Sequence, residues 1–222
     1  MFKSTTIAAV ALAALAGVAQ ADTTILSFTF SDLSGGYSTA SGHFNALGVN
    51  VAPLQSQGDV SRVNLPSPGS ASYGTPGSAA GKVNVDVAVS GILANTATGI
   101  GTITITDADG DTLSATINGQ FISNGLAVFF NGNLSNIGWT DNGAQDGLFN
   151  GPTGGAIPLS FAPAPPPYLG AIVQLYIGDT GNFFVHDFSG ISTQVSGVVV
   201  PSPATFALLG LGGLVAGRRR RA

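Results

Sequence analysis

Cysteine is absent from the chain. That excludes disulfides, thiolate metal sites, cysteine nucleophiles and covalent haem attachment. Glutamate is absent as well, since every acidic residue in the sequence is aspartate. A Glu/Asp catalytic pair is therefore excluded, and an Asp/Asp pair has no identifying context. Charged residues make up only 8% of the 222, and Met and Trp occur once each. With Glu, Lys, Arg and Met so scarce, the strong helix formers are missing and the body does not read as helical. No G-x-S-x-G and no H-E-x-x-H occurs. The stretch from Asp22 to Val200 holds eleven Asp against Arg62 and Lys82, a formal −9. An acidic body without a basic patch excludes nucleic acid as a partner.

What is present is glycine, 32 residues of it, with frequent Ser, Thr and Asn and a period-two alternation of apolar residues. Val83, Val85, Val87 and Val89 alternate with Asn84, Asp86, Ala88 and Ser90, the pattern of a half-buried antiparallel strand. Leu26, Phe28 and Phe30 begin another. Ile103 and Ile105 alternate with Thr102, Thr104 and Thr106; Leu113, Ala115 and Ile117 alternate with Thr112, Ser114 and Thr116. Further strands are expected over Phe121–Phe130, Ala171–Ile177, Phe183–Phe188 and Ile191–Val199. Short strands between Gly/Asn/Asp turns predict an all-β, antiparallel β-sandwich or jelly-roll-like body. Three stretches break the rhythm. Pro66–Gly81 reads as an exposed loop, Asn131–Gly155 is Asn/Gly-rich around Trp139, and Pro163–Pro167 reads as a stiff polyproline crossing between sheets.

The densest polar constellation is Asp107-Ala108-Asp109-Gly110-Asp111. Three carboxylates in five residues offer hard oxygen donors of the kind Ca²⁺ takes, and Gly110 permits the turn that would aim them inward. It is not an EF-hand, because the glycine comes too early and Asn118 stands at the twelfth position. The competing reading is a plain hairpin turn, since Asp and Gly favour turns for backbone reasons. This loop would need further ligands that the sequence does not name. His43 and His186 are the two histidines; neither sits in a catalytic or zinc motif. The Thr102/Thr104/Thr106 row beside Thr112/Ser114/Thr116 reads as the solvent face of a sheet. A flat threonine surface for ice is the minor alternative.

Both chain ends carry export signals. Lys3, the apolar run Ile7–Val18 and Ala19-Gln20-Ala21 form a signal peptide, with signal peptidase cutting after Ala21. At the other end, the motif Val200-Pro201-Ser202-Pro203-Ala204 is followed by an uncharged run to Gly217 and then by Arg218, Arg219, Arg220 and Arg221. Fourteen residues at ~1.5 Å each make a helix of roughly 21 Å, which snorkelling arginines extend toward the ~30 Å hydrocarbon core. Positive charges after the run stay cytoplasmic, so the body lies across the membrane from them. This tail resembles the PEP-CTERM sorting signal, a module also described as an ice-binding protein C-terminal domain. The family pattern is Val-Pro-Glu-Pro-Ala, a Leu/Gly-rich span and an arginine cluster. Ser202 stands where the family most often has Glu. The resemblance covers about 25 residues. It implies processing by an exosortase-type transpeptidase in a Gram-negative-type envelope.

The expected organisation is therefore a signal peptide (1–21), a β-sandwich body (22–197) and a sorting tail with a transmembrane helix (198–222). The expected function is a non-enzymatic envelope or matrix protein. It would be exported, transiently anchored in the inner membrane, then placed at the cell surface or outside, where exopolysaccharide is a candidate partner. A carbohydrate-binding or hydrolytic domain, with Trp139, Tyr168 or Tyr176 lining a sugar site, is the alternative.

Overall fold

The computed structural model describes residues 24–63, 68–159, 168–169, 171–177 and 183–201. The expected signal peptide, the polyproline crossing and the tail from Ser202 onward lie outside these residues. Fifteen strands are described: β1 (Leu26–Ser38), β2 (His43–Leu47), β3 (Asn50–Val51), β4 (Leu54–Gln55), β5 (Gln57–Arg62), β6 (Gly69–Tyr73), β7 (Val83–Ser90), β8 (Thr96–Thr106), β9 (Thr112–Ser123), β10 (Val128–Thr140), β11 (Leu148–Asn150), β12 (Ala156–Pro158), β13 (Tyr168–Leu169), β14 (Ala171–Ile177) and β15 (Phe188–Pro201). There is no helix among the described residues.

The all-β expectation holds, but the sheet closes on itself instead of splitting into two packed layers. Strands β1, β2, β7, β8, β9, β10, β14 and β15 pair in that order, and β15 then pairs with β1, completing an eight-stranded antiparallel barrel. Closure removes the open edges that a sandwich keeps. Strand β1 serves two neighbours on its other side. Leu26–Ser31 pair with β5, and Ser34–Ser38 pair with β2. The switch falls at Asp32, whose φ of 55° marks an irregularity in the ladder to β15. Bulges of this kind let one strand turn from one partner to another. The Ser56 hydroxyl fixes the bend by donating to the Asp32 carbonyl at 2.7 Å.

Period-two alternation sends one face of each strand into the barrel. Val83, Val85 and Val87 of β7, Ile103 and Ile105 of β8, and Leu113, Ile117 and Phe121 of β9 are all buried. Phe121 and Phe130, direct partners across β9 and β10, hold their rings 4.6 Å apart, and Phe44 meets Phe121 at 5.9 Å. Burying each such ring contributes about 1.5–3 kcal/mol. The rings fit because glycines face them. A Cβ on Gly99 would lie 2.7 Å from the Phe121 ring and 2.8 Å from the Phe130 ring.

The barrel has two ends. At one, called proximal here, β1 begins and β15 finishes, with Leu26 opposite Val199. The β8–β9 turn lies at the same end, and β5, β6, β11 and β12 cover it. At the distal end lie the β1–β2 turn, the residues 91–95 and 124–127, and the turn over 183–186.

Several local expectations are corrected. Phe121–Phe130 is not one strand: Asn124 Oδ1 accepts the N–H groups of Leu126 and Ala127, and Gly125 has φ 85°, so a turn separates β9 from β10. Asn131–Thr140 is not a break but most of β10. Within Pro66–Gly81, residues Gly69–Tyr73 form β6, with Ala71 and Tyr73 buried. Phe183–Phe188 is largely a turn, with Phe184 at φ 51°. Phe184 plugs the distal end, its ring 4.8 Å from Tyr37 and 4.7 Å from Phe121. Strand β15 runs through Val200 and Pro201, which pair with Leu169 and Tyr168.

Candidate metal centre

Asp107–Asp111 forms the turn between β8 and β9 at the proximal end. Asp107 shapes it. Its Oδ1 accepts the N–H groups of Asp109 (3.0 Å), Gly110 (2.8 Å) and Asp111 (2.9 Å). Gly110 supplies the φ of 108° that this wrapping needs, where a side chain would be strained. A turn role is thus fully visible for Asp107. It does not account for Asp109 and Asp111.

One carboxylate oxygen from each of Asp107, Asp109 and Asp111 lies within 4.8 Å of the others. Oxygens bound to Ca²⁺ at 2.3–2.6 Å stand no more than about 5 Å apart across the ion, so the spacing fits. Asp107 and Asp111 are fully buried, while Asp109 is exposed. The Asp111 Oδ1 accepts N–H groups from Asn142 and Gly143, both at 2.7 Å. Its Oδ2 is buried without a hydrogen-bond donor among the described residues, and so is Oδ1 of nearby Asp141. Buried anionic oxygens are normally paired, and an orphaned one points to an ion or water.

The segment over 141–150 is the second wall; the sequence marked it only as part of an Asn/Gly-rich stretch and gave it no ligand role. Asn150 donates its backbone N–H to Asp107 Oδ2 at 2.7 Å and its side-chain amide to Asp109 Oδ2 at 3.3 Å and Asp146 Oδ2 at 3.4 Å. Five carboxylates, at 107, 109, 111, 141 and 146, therefore share two loops stitched together by hydrogen bonds. The Asp/Asn content of 141–150 was the only signal available beforehand. Lys82 adds one cationic group, its ammonium donating to the Asp107 carbonyl.

Electrostatics follow from this crowding. Burial pushes the Asp107 carboxyl above the ordinary range, and the Asp109 carboxyl pushes it the same way. The N–H groups of Asn150, Asp111 and Gly110 pull against them. The Asp107 side chain in turn holds exposed Asp109 below its ordinary value. The Tyr73 hydroxyl, which donates to the Thr106 carbonyl at 2.8 Å, is raised by burial and then by the Asp107 charge. A cation among these groups relieves the same repulsion that otherwise favours a shared proton.

The remaining sequence candidates scatter. His43 Nδ1 meets Asp86 Oδ1 at 2.7 Å on the outer faces of β2 and β7, both side chains being over 40% exposed. His186 lies in the distal turn, and its neighbour Asp187 accepts from the Thr39 hydroxyl (2.6 Å) and N–H (2.8 Å). Thr102, Thr104 and Thr106 do pair with Thr116, Ser114 and Thr112 on the outer face. That row is two strands wide, bordered by Asp86 opposite Thr102 and by the irregularity between Ser135 and Gly138. Trp139 packs on Phe149 at 5.0 Å near the Asp-rich loops, whereas Tyr176 is exposed beside Phe129 near the distal end. Tyr168 lies in β13. Trp139 and Tyr176, two of the alternative aromatics for a sugar site, thus lie toward opposite ends of the barrel. Of the sorting motif, Val200 and Pro201 lie in β15. The remainder, Arg218–Arg221, and Ala19 and Ala21 fall outside the described residues.

Comparison with family models, with characterised proteins and with solved structures returned no match.

Proposed function

We propose that the protein is an exported, non-enzymatic surface or matrix component: a closed β-barrel locked at its proximal end by a divalent cation. Ca²⁺ is the ion favoured, because the donors are all oxygens and sit on adaptable loops. The observation that carries this reading is the pair of buried carboxylate oxygens, Asp111 Oδ2 and Asp141 Oδ1, left without donors beside the clustered Asp107 and Asp109. A Ca²⁺-requiring site suits a protein that works outside the cell, where weak sites with Kd near 10⁻⁴–10⁻³ M are filled. The barrel interior is packed with Phe30, Phe44, Phe121 and Phe130, which leaves the outer face and the loops as the working surface. Export rests on the signal peptide at 1–21 and on the tail's likeness to an exosortase substrate, with Arg218–Arg221 as the membrane stop.

Calorimetric titration of the full chain with CaCl₂ tests the cation. Stability should rise as RT ln(1 + [L]/Kd), about 2.7 kcal/mol at a hundredfold excess over Kd. For a domain of this size that is several degrees in Tm. An identical Tm in EDTA and in roughly 10 mM Ca²⁺, well above the Kd range of such sites, would leave only a hairpin turn. For the tail, cells lacking the sorting transpeptidase should accumulate a form longer by about the last 20 residues; an unchanged mass there would reduce the tail to a plain anchor.

A further inference from the structure

Outside the metal loops, the outer face of β10, β14, β15 and β1 carries a second feature. Phe129 on β10 faces Tyr176 on β14, which faces Gln194 on β15. One register step toward the proximal end, Asn131 on β10 and the paired Ser196 and Thr29 on β15 and β1 form a polar row. Between the rows runs a groove of ≈ 340 Å³, lined by side chains from Thr29, Phe129, Asn131, Tyr176, Gln194 and Ser196. The two rings meet edge to face at 5.4 Å, yet remain 38% and 42% exposed. Phe130, Leu175 and Val195 complete the lining, and none of these nine described residues is charged.

We propose that this groove binds a neutral glycan chain, its sugar rings stacked on Tyr176 and Phe129 and its hydroxyls paired with Asn131, Gln194, Ser196 and Thr29. The chemistry of the lining selects that occupant. A sugar ring offers an apolar C–H face to an aromatic ring. Its rim of hydroxyls both donates and accepts, as amide and hydroxyl side chains do. A lipid chain would bury the two amides and two hydroxyls unpaired, at a cost in free energy. An anionic polymer finds no cation in the lining and is repelled by a body of formal charge −9 between Asp22 and Val200. The groove crosses four strands at ~4.8 Å spacing, about 14 Å in all, which suits a short run of rings better than a single sugar. It needs no contribution from the metal loops, so the two sites stand or fall separately.

Native affinity electrophoresis of the full chain, in gels holding hydroxyethyl cellulose, dextran or galactomannan, tests the proposal. Alginate gels and phosphatidylcholine vesicles serve as anionic and lipid arms. At least one neutral polysaccharide should retard the protein, in EDTA as well as in Ca²⁺. Tyr176→Ala and Phe129→Ala should each weaken retardation by up to about tenfold while Tm stays put. Thr104→Ala, on the outer face of β8, should leave it unchanged. The proposal is overturned by no retardation in any neutral gel, by binding confined to alginate or vesicles, or by retardation indifferent to Tyr176→Ala. A concentration-dependent dimer that Tyr176→Ala abolishes would also overturn it, by giving the patch to a second copy.

Discussion

The two ends of the barrel are closed by different physics. At the distal end the stopper is apolar: Phe184 drops from a turn onto Tyr37, Phe44 and Phe121 with Phe183 packed on it, and a hydroxyl–carboxylate clamp, Thr39 to Asp187, pins the rim. At the proximal end the closing loops are crowded with carboxylates, two of whose oxygens are buried without donors. The distal stopper is complete as it stands. The proximal one leaves those oxygens unpaired among the described residues, where the proposed cation would supply a counter-charge. Both enclose the same apolar interior, so stability at the first should depend on packing and at the second on ions.

The largest expected effect breaks the distal stopper. Phe184→Ala should cost about 3–5 kcal/mol, read as a lower urea midpoint, because the ring lies 2% exposed among five aromatic neighbours. Its response to Ca²⁺ should be retained. Next, Asp111→Asn should abolish the Ca²⁺-induced rise in Tm, the equivalent of about 2.7 kcal/mol at hundredfold saturation. In EDTA the same variant should melt no lower than the parent, since it removes a buried negative charge beside two others. Tyr176→Ala should change the unfolding free energy by no more than about 0.5 kcal/mol either way, as an exposed side chain makes little of the core. The smallest effect is the pH response of the distal clamp. The Thr39 hydroxyl and then its N–H hold Asp187 below the ordinary carboxylate value. A depressed folded-state value gives stability that is present above the unfolded pKa of ~3.9 and is lost as pH falls through the lower folded value. The protection of the Thr39 amide relative to a free peptide at the same pH should therefore fall below about pH 4, and Asp187→Asn should remove that pH dependence.

How much of this was legible in the sequence differs between strands and closure. The β7 alternation of Val83, Val85, Val87 and Val89 and the paired rows of β8 and β9 could be read directly, because burial of one face imposes period two in any antiparallel sheet. A barrel and a sandwich share that signature. What separates them is the pairing of β15 with β1, residues some 170 positions apart, which no local pattern encodes. Strand β10 was hidden by its outward Asn131 and Asn133 and by Gly132, whose missing side chain leaves room for the Phe130 ring; a Cβ there would lie 2.6 Å from it. The run Phe183-Phe184 looked like a strand because aromatic residues favour strands, but packing into the barrel mouth won over propensity. Asp107, Asp109 and Asp111 announced themselves by spacing. Their counterparts at 141–150 did not, since turn chemistry and ligand chemistry draw on the same Asp, Asn and Gly.

Residue-resolved amide exchange of the full chain, with and without Ca²⁺, compares the two ends in one experiment. The account predicts that Ca²⁺ slows exchange at Asn142, Gly143 and Asn150, whose N–H groups bond to Asp111 and Asp107, while Leu126 and Ala127 at the distal turn are unaffected. Equal protection at both ends, or no change at the proximal loops, would contradict it.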